Sequence, residues 1–128
     1  DYVIPAAVDG VLHGGNASRV KAKVVVEAAN HPTTPEADDI LNDRHITVLP
    51  DILVNAGGVV VSELEWTQNL YQHQWELSRV NDELSKKMRA AYTRVREVVE
   101  TKHITYREAA FLVGVGRVAS VVKLRGFI

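Results

Sequence analysis

The chain has 128 residues, enough for one compact domain or for part of a larger one. Apolar residues make up 46% and charged residues 24%, and the formal net charge of -1 gives no electrostatic reason to expect nucleic acid or an acidic membrane surface as partner. Cysteine is absent, which excludes disulfides and thiolate chemistry and fits a reducing, cytoplasmic compartment, and no apolar run reaches the ~18 residues of a transmembrane helix.

The chain opens without Met, directly on "DYVIPAA", which reads as a buried strand entered without preamble. That start is expected of a piece cut from a longer chain. Tyr2 to Ile4 forms the predicted strand and Pro5 closes it, because proline cannot donate to a ladder. Asn16 to Ala22 has the composition of a short helix. Val24-Val25-Val26 is an unbroken β-branched run, the pattern of a parallel strand buried on both faces. In "HPTTPEADDILNDR", Thr34 can cap a helix and Pro35 suits its first position. Glu36, Asp38 and Asp39 then favour the positive end of the helix dipole. Ile46 to Leu49 reads as the next strand, ended by Pro50. Strand, helix and strand at this spacing imply βαβ units and a right-handed parallel sheet.

After Gly57-Gly58 a helix is predicted from about Val59 to Tyr71. From Leu77 onward the apolar residues Leu77, Val80, Leu84, Met88, Ala91, Val95 and Val98 recur every three or four positions. Lys86, Lys87, Arg89, Arg94 and Arg96 fill the intervals, giving a long amphipathic helix with one buried stripe. Thr105 and Glu108 form a capping box at the start of a final helix. The fold class is therefore α/β: a partial Rossmann-like parallel sheet over residues 1–76, followed over residues 77–128 by C-terminal helices that pack on it and close the cleft.

Gly114, Gly116 and Ala119 spell G-x-G-x-x-A, the phosphate-binding pattern of dinucleotide folds. A working loop needs a strand before it, a helix after it and an acidic residue about 20 positions on. Too little chain follows Ala119 for a helix, a strand and that acidic residue, and the capping box places both glycines inside a helix. The match is read as small residues where a helix packs closely, at a cost of up to ~1 kcal/mol per glycine relative to alanine.

In parallel α/β sheets, ligands bind outside the carboxyl ends of the strands. Three loops occupy that place: "PAAVDG", "EAANHPTTPEAD" and "PDILVNAGGVVVSELEW". Asn30 and Asn55 each lie one loop beyond a strand, where an amide can both donate to and accept from a ligand, or make a local turn. Gly57-Gly58 would let backbone N–H groups approach a ligand, and Ser62 points its hydroxyl toward the same opening.

Taken in order, "VIPAA", "EAANHPTTPEAD", "NAGGVVVSELEWTQN", "VNDEL" and "YREAAFL…RVASVVKLRGFI" resemble the Glu/Leu/Phe/Val dehydrogenase family, and "PTTPEAD" is most similar to its glutamate dehydrogenases. The resemblance covers essentially the whole chain. It implies that Asn30 hydrogen-bonds an NAD or NADP cofactor near the nicotinamide ribose, that Asn55 lies beside the nicotinamide, and that the Ala6-Ala7 backbone runs along the cofactor. It implies that Ser62 binds the substrate's side-chain carboxylate, with Val59 lining the same pocket. The family's catalytic lysine and aspartate, its glycine-rich cofactor loop and its acidic ribose position have no counterpart here, so they are expected upstream and no catalytic residue is assigned in this chain. The implied activity of the whole enzyme is oxidative deamination of glutamate to 2-oxoglutarate and ammonia, in a homohexamer, with the fragment alone inactive. A related amino-acid dehydrogenase with another substrate, or a non-catalytic association module, are the alternatives.

The sequence departs from the family pattern at Ala28, His31 and Val60, at Glu63-Leu64 beside Ser62, and at Gly114 and Gly116, where larger residues are usual. The change beside Ser62 bears on the pocket rim. The five histidines show no metal-ligand spacing and read as surface or turn residues, and no metal site is expected. Trp66 and Trp75 are read as packing residues between helices, and Glu63 and Glu65 as solvated or salt-bridged.

Overall fold

The computed structural model describes residues 1–126; Phe127 and Ile128, which end the "RGFI" stretch, lie outside the described residues. The elements in chain order are β1 (Tyr2–Val3), α1 (Gly14–Ala17), β2 (Val24–Val26), α2 (Pro35–Asp43), β3 (Thr47–Leu49), α3 (Asp51–Val54), α4 (Ala56–Tyr71), α5 (Leu77–Lys102) and α6 (Tyr106–Leu124). The three strands form one parallel sheet in the order β1-β2-β3. This is the expected partial parallel α/β sheet followed by helices.

Alternation along the strands explains how the sheet is covered. Val3, Val25 and Val48 are register partners on one row, and Val25 and Val48 join Ala17, Ala37, Leu41 and Ile46 in a core under α1 and α2. Arg44, just past α2, fastens that layer by donating to the Ala17 and Val20 carbonyls at 2.8 Å each. A second core forms where Leu53 of α3 meets Val95 of α5 and Ala109 and Ala110 of α6. The helix from Pro35 has the expected cap, with the Thr34 hydroxyl accepting from the Ala37 N–H at 3.3 Å.

Several expectations need correction. β1 is the first in the strand order of this chain's sheet, and Tyr2 within it and Ile4 just after it are exposed where a buried strand was expected. Only Val25 of the valine run is fully buried; Val24 and Val26 are half-buried. The first helix covers Gly14–Ala17 and not Asn16 to Ala22, because His13 caps it and exchanges hydrogen bonds with Asn16 in a capping box. The helix expected from Val59 starts at Ala56, and the four-residue α3 precedes it. On α5 the predicted stripe faces inward, but only Val95 is fully buried and Leu77 is 72% exposed. Trp66 is 64% exposed and so is not enclosed between helices among the described residues, whereas Trp75 carries the Arg79 guanidinium 3.9 Å from its ring centroid. The histidines keep their turn and surface roles: His31, His45 and His103 have φ between 49 and 56°.

Both glycines of the decoy signature lie inside α6, and a Cβ at either would meet nothing within 4 Å. Close packing is therefore not their role among the described residues. Around them Leu112, Val115 and Val118 are more than half exposed.

The capping box of α6 is formed as read from the sequence. Thr105 Oγ1 accepts from the Glu108 N–H, and Glu108 Oε2 accepts from the Thr105 N–H at 2.8 Å. The Thr105 N–H, and then its hydroxyl, hold the Glu108 carboxyl below its ordinary 4.5. Thr105→Ala is expected to cost about 1 kcal/mol, read as a shift in the urea midpoint. Because the Glu108 pKa is depressed on folding, its contribution is full above pH 4.5 and is lost as pH falls through the lower folded-state value. The stability gap between wild type and Glu108→Gln should therefore narrow below pH 4.5; a gap independent of pH would remove Glu108 from the cap.

Candidate functional site

The loops at the carboxyl ends of the strands are stitched side by side by backbone hydrogen bonds. The Pro5 carbonyl accepts from Ala28 and Ala29 at 3.0 and 2.9 Å, extending the β1–β2 ladder past the strands. Farther out, Gly10 donates to the His31 carbonyl and Leu12 to that of Pro32, both at 2.9 Å. Gly10 has φ +62°, a conformation that suits glycine. Beyond β3, α3 makes a single turn whose end is Asn55, held by its own N–H to the Asp51 carbonyl at 2.9 Å. The next helix starts immediately, which brings Gly58, Val59 and Ser62 back over the strand ends.

These loops enclose an open cleft of roughly 770 Å³. Ala7, Asn30, Asn55, Val59 and Ser62 line it together, although they are spread over more than fifty positions of sequence. Ala6 does not line it. Consecutive residues leaving a strand point to opposite sides, and of the two only Ala7 meets the cleft. Val8, Asp9, Ala28 and Ala29 also contribute to the lining. Sequence reasoning placed their two loops at the strand ends but singled out none of the four as a site residue, Ala28 being noted only as a departure from the family pattern.

The two asparagines bond to each other across the cleft floor. Asn55 Nδ2 donates to Asn30 Oδ1 at 2.6 Å, and lies 3.5 Å from the Ala28 carbonyl. Neither amide makes a local turn. The arrangement leaves Asn30 with its NH2 group and Asn55 with its carbonyl oxygen unpartnered among the described residues. One donor and one acceptor thus stand side by side at the cleft.

Beneath the cleft lies a charged cluster that sequence reasoning did not find. Glu27, fully buried, directly follows β2. Its carboxylate takes both terminal nitrogens of Arg107 at 2.7 and 3.1 Å, and also the Asp51 N–H at 2.9 Å. The same guanidinium donates to Asp38 at 2.9 and 3.2 Å and lies 3.9 Å from Asp51 Oδ1. Burial works against the charge on Arg107, but its hydrogen bonds to Glu27 and Asp38 outweigh it and the net shift of its pKa is upward. Asp51 in turn accepts from the His31 N–H at 2.8 Å. One signal was available: an arginine in the first turn of a helix opposes the dipole and implies an acidic partner elsewhere.

The residues next to Ser62 lie off the cleft. Glu63 pairs with Lys87 of α5 at 2.5 Å, and Leu64 is the buried residue of α4. The departure at Glu63-Leu64 therefore leaves the cleft lining itself unchanged. Among the described residues, no group of three or more His, Asp or Glu is placed to hold a metal ion.

The family described as Glutamate/Leucine/Phenylalanine/Valine dehydrogenase matches residues 1–126. The chain is 51% identical over 126 residues to a glutamate dehydrogenase of Thermotoga maritima, covering 98% of this chain and 30% of that one. It is 48% identical over 126 residues to NAD-specific glutamate dehydrogenase A of Halobacterium salinarum, covering 98% and 29%. Among solved structures, glutamate dehydrogenase from Peptoniphilus asaccharolyticus superposes with a TM-score of 0.91 at 41% identity, over 98% of this chain and 32% of that one. The hetero-hexameric glutamate dehydrogenase of Thermus thermophilus, in its leucine-bound form, gives 0.92 at 31% identity, over 97% and 30%. The chain thus spans about 30% of the length of the curated relatives it matches.

Gly58 offers a direct check on the cleft wall. A Cβ there would meet nothing within 4 Å, so Gly58→Ala is sterically free. It should raise the unfolding midpoint, by up to about 1 kcal/mol of helix propensity. A lowered midpoint would show that the wall at α4 is packed more tightly than described here.

Proposed function

We propose that this chain, which belongs to the Glutamate/Leucine/Phenylalanine/Valine dehydrogenase family, supplies the later part of the nucleotide-binding domain of an NAD(P)-dependent glutamate dehydrogenase. In this reading residues 1–76 complete the dinucleotide-binding sheet, and residues 77–128 are the helices that pack on it and close the cleft. The observation that carries the proposal is the convergence of Asn30, Asn55, Val59 and Ser62 on one cleft at the carboxyl ends of parallel strands. Relatives near 50% identity that are named glutamate dehydrogenase, one of them NAD-specific, support the substrate and the cofactor.

The amide pair fits a nicotinamide. The free carbonyl of Asn55 can accept from the carboxamide N–H and the free NH2 of Asn30 can donate to a hydroxyl of the adjoining ribose, the two roles that the resemblance implies. Between them, Ala7, Asn30 and Asn55 would hold a dinucleotide, which would supply the acceptor for a hydride from the substrate Cα. This chain's residues bind and orient. The Asn30–Asn55 bond fixes both amides before a ligand arrives, so less ordering is left to binding. Ala7 brings loop backbone to the same wall, with Ala6 adjacent on the chain. The Ser62 hydroxyl donates to the side-chain carboxylate of glutamate, and Val59 provides the apolar wall beside its methylenes. Overall, glutamate, water and the oxidised cofactor give 2-oxoglutarate, ammonium, the reduced cofactor and a proton. The catalytic acid–base groups come from the part of the protein upstream of this chain, and the assembly is a hexamer.

Three measurements on the full-length enzyme test this. Glutamate should be turned over in preference to leucine and phenylalanine; preference for an apolar amino acid would sink the assignment. Ser62→Ala should raise the glutamate KM by roughly 10- to 100-fold, the worth of a hydrogen bond to a charged group. Asn55→Ala should lower kcat while leaving the glutamate KM nearly unchanged, and wild-type turnover would remove Asn55 from the cofactor site.

A further inference from the structure

We infer that Arg107 is a positioning residue for the Asn30–Asn55 pair, acting through Glu27 and Asp51, so that the seating of α6 sets the geometry of the cofactor cleft. The inference rests on the dinucleotide reading given above. None of Arg107, Glu27 and Asp51 lines the cleft, so none acts by touching the ligand.

The linkage can be followed bond by bond. The Arg107 guanidinium grips both oxygens of Glu27, and Glu27 Oε2 also accepts from the Asp51 N–H. Asp51 then reaches Asn55 itself and the residue next to Asn30. Its Oδ2 accepts from the N–H of His31, the residue after Asn30, at 2.8 Å. Its backbone carbonyl accepts from the N–H of Asn55 at 2.9 Å. A shift of Asp51 therefore moves both partners of the 2.6 Å amide–amide bond.

His31 makes the His31–Asp51 bond more consequential. Its φ of +49° is a conformation that a residue with a Cβ adopts reluctantly, and the bond to Asp51 is one of those that hold it there. Without that bond the loop loses a tether immediately beyond Asn30. At the other end of the linkage, α6 buries few side chains in this chain. Ala109 and Ala110 are its buried residues, two and three positions after Arg107, and most of its outer half is exposed. Thus the first turn of α6, with Arg107 in it, is where the helix is fastened to the sheet.

The test uses full-length enzyme and four proteins: wild type, Asp51→Asn, Arg107→Lys and Ile46→Ala. Asp51→Asn keeps the size and one acceptor oxygen; Arg107→Lys keeps the charge but loses the two-pronged grip. Ile46 lies in the other core, before β3, beside Asp38 and Arg107 but supplying none of the linkage's hydrogen bonds, so its truncation lowers stability with those bonds left in place. Dissociation constants for NAD and NADP are read by fluorescence titration, beside the unfolding temperature and the glutamate KM at saturating cofactor. Asp51→Asn and Arg107→Lys should weaken dinucleotide binding by about tenfold or more, with the glutamate KM within about twofold, on the scale by which misplaced groups cost binding and rate. Ile46→Ala should lower the unfolding temperature and leave the dissociation constants at the wild-type value. If either linkage variant folds, loses thermal stability and still binds dinucleotide as wild type does, the inference is overturned while the cofactor reading stands. A wild-type enzyme that binds neither dinucleotide overturns that reading and this inference with it.

Discussion

Arg107 reaches from the first turn of α6 to Glu27 and Asp51 at the ends of β2 and β3, and to Asp38 in α2. Glu27 is fully buried, and an isolated carboxylate there would be desolvated at a cost of several kcal/mol. The sheet can place an acid at that point only because the arginine arrives from a helix 80 positions later. Breaking such a pair by removing one partner typically costs 3–5 kcal/mol, or about the effect of a large core truncation. The strand-end loops, the turn α3 and the start of α6 therefore hold together as one unit.

That unit explains why the cleft has defined walls although it is open and mostly exposed. Asn30, Val59 and Ser62 are surface residues with little packing of their own. Their positions are inherited from backbone bonds: the Pro5 carbonyl to Ala28 and Ala29, Asp51 to His31, and the Asp51 carbonyl to Asn55. A rigid floor under flexible-looking loops is what a binding site on strand ends requires, since the loops themselves bury too little to fix their own geometry.

What could be read from the sequence was whatever depends on neighbours in the chain. The caps at Thr34 and Thr105, the valine strand and the turn histidines all follow from local rules and all occur. The location of the site was also legible, because parallel strands put their loops at one end, and Asn30, Asn55 and Ser62 do converge there. The long-range terms were not legible. Periodicity shows that α5 has an apolar stripe but not how much of it another layer covers, so Leu77 was expected inside and is outside. Trp66 failed for the same reason: residue type suggested burial, and the described residues leave it 64% exposed. The first helix was misplaced because His13 serves as its cap, a role in which serine, threonine, asparagine and aspartate are the residues expected.

The glycine signature and the arginine show opposite sides of one lesson about α6. Gly114 and Gly116 carry a recognisable pattern, yet a Cβ at either would meet nothing within 4 Å among the described residues, whereas Arg107 carries none and fastens the helix. An apolar residue at position 107 could bury comparable area, but apolar contact is non-directional and would tolerate a slide or rotation of the helix. A guanidinium held by two carboxylates through paired hydrogen bonds fixes angle as well as distance. Replacing buried ion pairs with apolar groups is often neutral or stabilising in other proteins, so stability alone does not account for this one. Orientation does: the bonds that would be lost are those that align α6 with the loops carrying Asn30 and Asn55.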